Sequence, residues 1–237
     1  MTYCVAICVK EGIAFCSDSR TSAGVDQIST YKKMYNFGIQ EQRQFVILSS
    51  GNLATTQGIM AQIKKDMEQA LPINFNTVGN MNDAAEYLGE LNRVQQAKTG
   101  GGPLYHASFL LGGQIKGSDP QLMLVYPEGN YITTSDDTMF LQIGESKYGK
   151  PILDRIIGRD TNLQTAALCS LVSMDSTMRS NLSVGPPIDI QLYTANSFAI
   201  PRSYHFKEDS EYLKKVNQVW NQKLVESFQQ LPQLDNL

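Results

Sequence analysis

The segment QFVILSS, Gln44 to Ser50, constrains the fold most, because apolar residues fall on both of its faces. A strand with one apolar face can leave the other in water, whereas a strand with two must be covered above and below. The opening segment TYCVAICV (Thr2–Val9) has the same β-branched, apolar character. IAFCSD (Ile13–Asp18) returns as the second arm of a hairpin, with Lys10-Glu11-Gly12 as a three-residue loop. That loop pairs Val9 with Ile13 and Cys4 with Asp18. KKMYNF supplies a further strand reaching Phe37, after a polar stretch from Ser19 to Thr30.

Beyond Gly51 the period changes. Leu53, Ile59, Met60, Ile63, Met67 and Leu71 recur at helical spacing, with Lys64, Lys65 and Glu68 opposite. A second helix is predicted from Asn82 to Lys98, capped by Asn82 or Asp83 and stopped by Gly100-Gly101-Gly102-Pro103. Strands resume in HASFLLGG, QLMLVYP, NYITTS and MFLQIG. Two helices follow (148–157 and 163–178), then the strand IDIQLYTA and a closing helix (209–230) striped by Leu213, Val216, Trp220, Leu224 and Phe228. Blocks of strands separated by helix pairs predict an α+β fold, a four-layer αββα sandwich of two stacked, mainly antiparallel sheets. No linker divides the chain, so residues 1–237 are read as one domain.

Charged residues make up 18% of the chain, below the usual level of about a quarter, which fits surface buried against copies of itself. A net charge of −3 argues against nucleic-acid and anionic-membrane partners. No apolar run reaches the roughly 20 residues of a membrane span, and no secretory leader is recognisable. Cys4, Cys8, Cys16 and Cys169 lack metal-ligand spacing and read as small core residues of a reducing cytosol, with a catalytic Cys4 as the functional alternative. With only His106 and His205, a histidine-built metal site is not expected.

The hairpin brings Asp18 back to Thr2, and Lys32 and Lys33 join them if KKMYNF packs beside it. A threonine hydroxyl needs a base to take its proton. Once Met1 is removed, the α-amino group of Thr2, with a reference pKa of about 7.7–8.0, can be that base. A nearby ammonium lowers the amine pKa by repulsion, and a carboxylate holds that ammonium in place. A retained Met1 converts the amine to an amide and removes the base.

SDSRTSAG, KKM, SSGNLATTQ opening a helix, and IGESKYG, in that order, resemble the proteasome β-subunit superfamily of N-terminal-nucleophile (Ntn) hydrolases. TYCVAI, SDSRTSAGVD, YKKM and GESKYGKPILDR are most similar to its bacterial ancestral β-subunit (Anbu) peptidases, and the likeness spans nearly the whole chain. The resemblance implies the Ntn-hydrolase fold, Thr2 as nucleophile, Asp18 as its paired carboxylate and Lys33 as the catalytic lysine. The segment before Lys33 is one residue shorter than in most proteasome subunits, which makes Lys32 the competing assignment. Gly51 matches the oxyanion-hole glycine, and Thr21, Tyr31 and Leu53 match substrate-binding positions.

Two motifs depart from the family. Where Gly-Ser-Gly is usual, this chain has Gly144-Glu145-Ser146, so either Ser146 supplies the hydroxyl from a shifted position or Glu145 changes the charge of the site. Asp175 matches the family's structural aspartate, but Met178 stands where a serine is expected, with Ser180 or Ser183 able to compensate. The implied activity is cytoplasmic threonine-type hydrolysis of peptide or protein amide bonds, without metal or organic cofactor. The implied particle is a self-compartmentalised homo-oligomer, ring or open spiral, with any ATPase partner unspecified. Glu145 and Met178 favour the alternative of a catalytically silent assembly protein; a third reading is an amidase for small or unusual amide bonds.

Overall fold

The computed structural model describes residues 2–22 and 28–232, with backbone alone at 21, 22 and 28. The strands β1 (Tyr3–Val9) and β2 (Gly12–Asp18) form the expected hairpin, followed by a small ribbon of β3 (Arg20–Ser22) and β4 (Ile28–Thr30). Next come β5 (Met34–Ile39), β6 (Arg43–Gly51) and the helix pair α1 (Leu53–Glu68) and α2 (Met81–Ala97). Then follow β7 (Ala107–Ile115), β8 (Gln121–Val125), β9 (Tyr131–Thr133), β10 (Phe140–Gly144), and the helices α3 (Lys150–Ile156) and α4 (Leu163–Ser180). The chain continues through β11 (Ile188–Thr194), β12 (Arg202–Phe206) and α5 (Glu211–Gln229).

Two five-stranded antiparallel sheets result, ordered β10-β1-β2-β11-β12 and β5-β6-β7-β8-β9. Strand alternation distributes their side chains among three cores. From β1, Tyr3, Val5, Ile7 and Val9 pack with Leu153, Ala166 and Met174 under α3 and α4. Cys4 and Ala6 point the other way and meet Met34, Val46 and Leu48 between the sheets. From β6, Phe45 and Ile47 face Ile59, Ile63, Ala84 and Leu88 of α1 and α2. Four layers need three apolar seams, which is why the central strands are apolar on both faces.

Several expectations need correction. Val9 pairs with Gly12 and Cys4 with Ser17, one residue off the predicted register. The loop is therefore Lys10-Glu11 alone: Gly12, at φ +144°, joins β2 and lies so close to Tyr193 that any side chain would meet its carbonyl oxygen. KKMYNF does not pair with the hairpin; β5 edges the opposite sheet, preceded by the two lysines. The α2 cap is Asn80, whose side chain accepts from the Asp83 N–H, rather than Asn82 or Asp83. The strands β3, β4 and β12 were not expected at all. Among the described residues, no helix is long and apolar enough to cross a membrane.

Candidate active site

The amino-terminal end of β1 abuts the catalytic candidates because two segments hold it there. The Thr2 carbonyl accepts from the Glu145 N–H at 2.7 Å. The next amide, of Tyr3, donates to Asp18 Oδ1 at 3.1 Å. Thr2, half-buried, is thus gripped on its carboxyl side by β10 and by the end of β2. The one-residue register correction accounts for this directly, since it sets Tyr3 level with Asp18.

Asp18 is fully buried and Lys33 is 6% exposed. Their ion pair measures 2.8 Å, and Lys33 Nζ also donates to the Arg20 carbonyl at 2.6 Å. The Gly185 N–H donates to Asp18 Oδ2 at 3.4 Å. Burial pushes the Asp18 carboxyl above its ordinary value, opposed first by the Lys33 ammonium and then by the amides of Tyr3 and Gly185. Lys33 reaches Asp18 from the opposite sheet, so the pair spans the interface between sheets. Of the two neighbouring lysines, Lys33 carries the buried ion pair, while Lys32 is exposed at the rim.

Thr2, Tyr31, Lys32, Lys33, Ser49, Ser50, Gly51, Leu53 and Thr56 line a pocket of about 40 Å³. Five predicted site residues therefore share one cleft: Thr2, Lys33, Gly51, Tyr31 and Leu53. Gly51 ends β6 at φ +107°, where an added Cβ would lie 2.3 Å from the His106 carbonyl oxygen. Asn52 then caps α1, accepting from the Thr55 N–H at 2.9 Å. Ser49 and Thr56 complete the wall and were not singled out from sequence; only their nearness to Gly51 and Leu53 signalled them.

The remaining predicted residues lie elsewhere. Ser146 follows the Gly144–Glu145 turn, its N–H on the Gly144 carbonyl at 3.1 Å and its own carbonyl accepting from Gln142 at 3.3 Å. The Glu145 carboxylate accepts from Asn181 at 3.0 Å. Asp175 faces α5, accepting from the Asn217 amide, with Arg179 at 3.5 Å. Neither Ser146 nor Asp175 lines the pocket at Thr2. Thr21 belongs to β3 by its backbone, and its side chain, like Met1, lies outside the described residues. Cys4 is fully buried with its thiol pushed well up by burial, an environment that suppresses the thiolate a nucleophile needs.

Gly144 sits at φ +81°, and an added Cβ would lie 2.0 Å from the Thr2 carbonyl oxygen. Gly144→Ala is expected to destabilise the fold by at least about 1–3 kcal/mol and to lower the melting temperature, because the backbone must leave a strained region and Thr2 must shift. An unchanged melting temperature by scanning calorimetry would refute this account of the turn.

The profile described as "Proteasome subunit" matches residues 2–191. A structure of Anbu (ancestral β-subunit) from Yersinia bercovieri is 45% identical, covering 98% of this chain and 99% of that one, with a TM-score of 0.94. An Anbu (Gly-1) mutant from Hyphomicrobium sp. strain MC1 is 42% identical over 99% of both chains, also at 0.94. A structure described as the helical assembly of the Anbu complex from Pseudomonas aeruginosa is 41% identical, covering 98% of this chain and 97% of that one, at 0.92. No curated protein matches.

Proposed function

Because the chain belongs to the proteasome-subunit family and, within it, to the ancestral β-subunit (Anbu) group, we propose that it is a threonine-type Ntn hydrolase acting on amide bonds of peptides or unfolded protein. The observation that carries this reading is the buried Lys33–Asp18 pair beside Thr2 in a cleft that ends at Gly51.

With Met1 removed, the Thr2 Oγ–H bond is broken as Oγ attacks the amide carbonyl carbon, and the Thr2 amine takes the proton. Repulsion from the Lys33 ammonium lowers the pKa of that amine and enlarges its neutral, proton-accepting fraction near pH 7. Asp18 and the Arg20 carbonyl hold the ammonium in place. The tetrahedral oxyanion is stabilised by the Gly51 N–H. Collapse expels the amine half of the substrate, which leaves with the proton; water, deprotonated by the same α-amine, then releases the acyl group from Thr2. Tyr31 and Leu53 contact the residue before the scissile bond, alongside Lys32, Ser49 and Thr56. Each partner Thr2 needs is thus supplied by a different element: β2, the approach to β5, and the β6–α1 junction.

The active particle is a cytoplasmic homo-oligomer, a reading supported by the low charged fraction and by the helical assembly of the Pseudomonas aeruginosa relative. The test is intact mass spectrometry with an N-terminal-threonine-directed epoxyketone. Such a reagent joins both the hydroxyl and the amine, so it labels only a processed Thr2. Processed protein that stays unlabelled at reagent excess overturns the nucleophile assignment and favours an assembly protein without turnover.

A further inference from the structure

The stripe of α5 runs off the end of its own subunit. The helix starts against the body: Tyr212 stacks on Phe206 at 5.5 Å, and Leu213 packs into the core beneath α4. Tyr212 shares a groove with Gln164, Ala167 and Leu171 of α4. Five residues on, Asn217 bonds Asp175 and Arg179 near the far end of α4. The two helices therefore run in the same sense. From Asn217 to Phe228 the rise is about 16 Å, while α4 continues only about 7 Å beyond Asp175 before ending at Ser180.

The overshooting turns keep their apolar face. Leu224 is 49% exposed, Val225 58% and Phe228 74%, and Leu182, just past the end of α4, is 84% exposed. Leu224 and Phe228 extend the line of Leu213, Asn217 and Trp220, which are half-buried. On the opposite side, Lys223 and Gln222 bond Glu226 within the helix. Leu224, Val225, Phe228 and Leu182 together present on the order of a few hundred Å² of apolar surface, the scale of the largest patch on a typical monomer, which is often functional.

This overhang lies at the end of the molecule that carries the candidate site. Immediately after α4, Asn181 binds Glu145, the Leu182 carbonyl accepts from Arg20 at 2.9 Å, and the Gly185 N–H binds Asp18.

We propose that the projecting end of α5, with Leu224, Val225 and Phe228, is the surface on which a second copy of this chain docks, at the end of the subunit that carries the Thr2 cleft. The occupant is another copy because the stripe continues the chain's own α4–α5 packing. The flanking Lys223 and Glu226 balance in charge, which gives an anionic membrane nothing to bind. This inference rests on the homo-oligomer reading above and names the element that builds the oligomer. It also makes assembly a determinant of access to the site, since a docked copy narrows the approach to the same end.

The experiment uses the full chain, processed to Thr2. Phe228→Asp is expected to weaken self-association at least about 30-fold, shifting sedimentation-velocity profiles to smaller species at micromolar concentration. Its melting temperature measured on the dissociated species should stay near that of dilute wild type, because Phe228 packs so little within its own chain. Lys215→Asp, a charge change away from the stripe, should assemble as wild type. Phe228→Asp particles indistinguishable from wild type overturn the proposal, as does a wild type that sediments as a monomer. Should Phe228→Asp fail to fold, hydrogen exchange on wild type decides: amides of 222–230 should be protected in the particle and exchange fast after dilution. Equal exchange in both states overturns the proposal. Epoxyketone labelling of the same samples separates the two readings, because an unreactive Thr2 leaves the assembly result standing, and unchanged assembly leaves labelling untouched.

Discussion

Thr2→Ala should abolish epoxyketone labelling and reduce hydrolysis of fluorogenic peptide amides at least about 10³-fold, with substrate binding nearly unchanged. The reasoning is local. Thr2 is held through its carbonyl by Glu145 and through the following amide by Asp18, so its backbone is fixed by groups the substitution leaves in place. Alanine keeps the amine, the Lys33–Asp18 pair and the Gly51 turn, and removes the hydroxyl together with the γ-methyl. Fluorescence anisotropy with an uncleaved peptide should report wild-type affinity alongside lost turnover. Turnover of Thr2→Ala within about tenfold of wild type would exclude the hydroxyl as nucleophile. Thr2→Ser is the companion variant and should retain labelling, because it keeps an amine and a hydroxyl on one residue.

The second large effect belongs to Lys33. Lys33→Met leaves the fully buried Asp18 carboxyl without its counter-charge, at a cost of about 3–5 kcal/mol. For a chain of this size that lowers the melting temperature by about 6–20 °C. The loss should depend on pH in a defined direction. Burial already holds the Asp18 pKa above its unfolded value, and removing the ammonium raises it further. A carboxyl raised in this way favours the fold fully below its unfolded pKa, near 3.8, and that contribution is lost as the pH rises through the folded value. The gap between wild type and Lys33→Met should therefore be narrow in acid and widest at neutral pH. Adding Asp18→Asn should recover much of the loss, since no buried charge then remains. A gap that stays constant from acid to neutral pH would show that packing, not charge, accounts for the cost. Hydrolysis should fall on acidification above the usual carboxylate range, because protonating Asp18 releases Lys33.

Much of this site was legible in the chain, for reasons that differ residue by residue. Thr2 and Asp18 could be paired because two apolar strands joined by a short polar turn must be neighbours. The error of one residue came from Gly12, which looked like loop but enters the strand where Tyr193 leaves no room for a side chain. The sequence brings Lys32 and Lys33 to Thr2 only if KKMYNF packs beside the hairpin, and family resemblance favours Lys33 between them. That it reaches Asp18 from the opposite sheet is a long-range fact no local pattern encodes. The strand β12, RSYHF, escaped notice because its residues are mostly exposed and carry no apolar run. Its pairing with β11 is fixed instead by backbone bonds and by Asp189, which accepts from Ser19 and contacts His205 Nδ1 at 2.7 Å. The apolar line of α5 was plain as a period, whereas its overshoot past α4 depends on where the body of the protein stops.

The grip on Thr2 has a practical consequence for anyone preparing this protein. Whatever is joined to the Thr2 nitrogen starts from a residue that already lines the cleft. An affinity tag fused there is a tethered occupant, present at an effective concentration on the order of millimolar whatever the bulk dilution. Tagged material found inert would then be reporting its own leash, and purification handles belong where they can be cut away to leave threonine first.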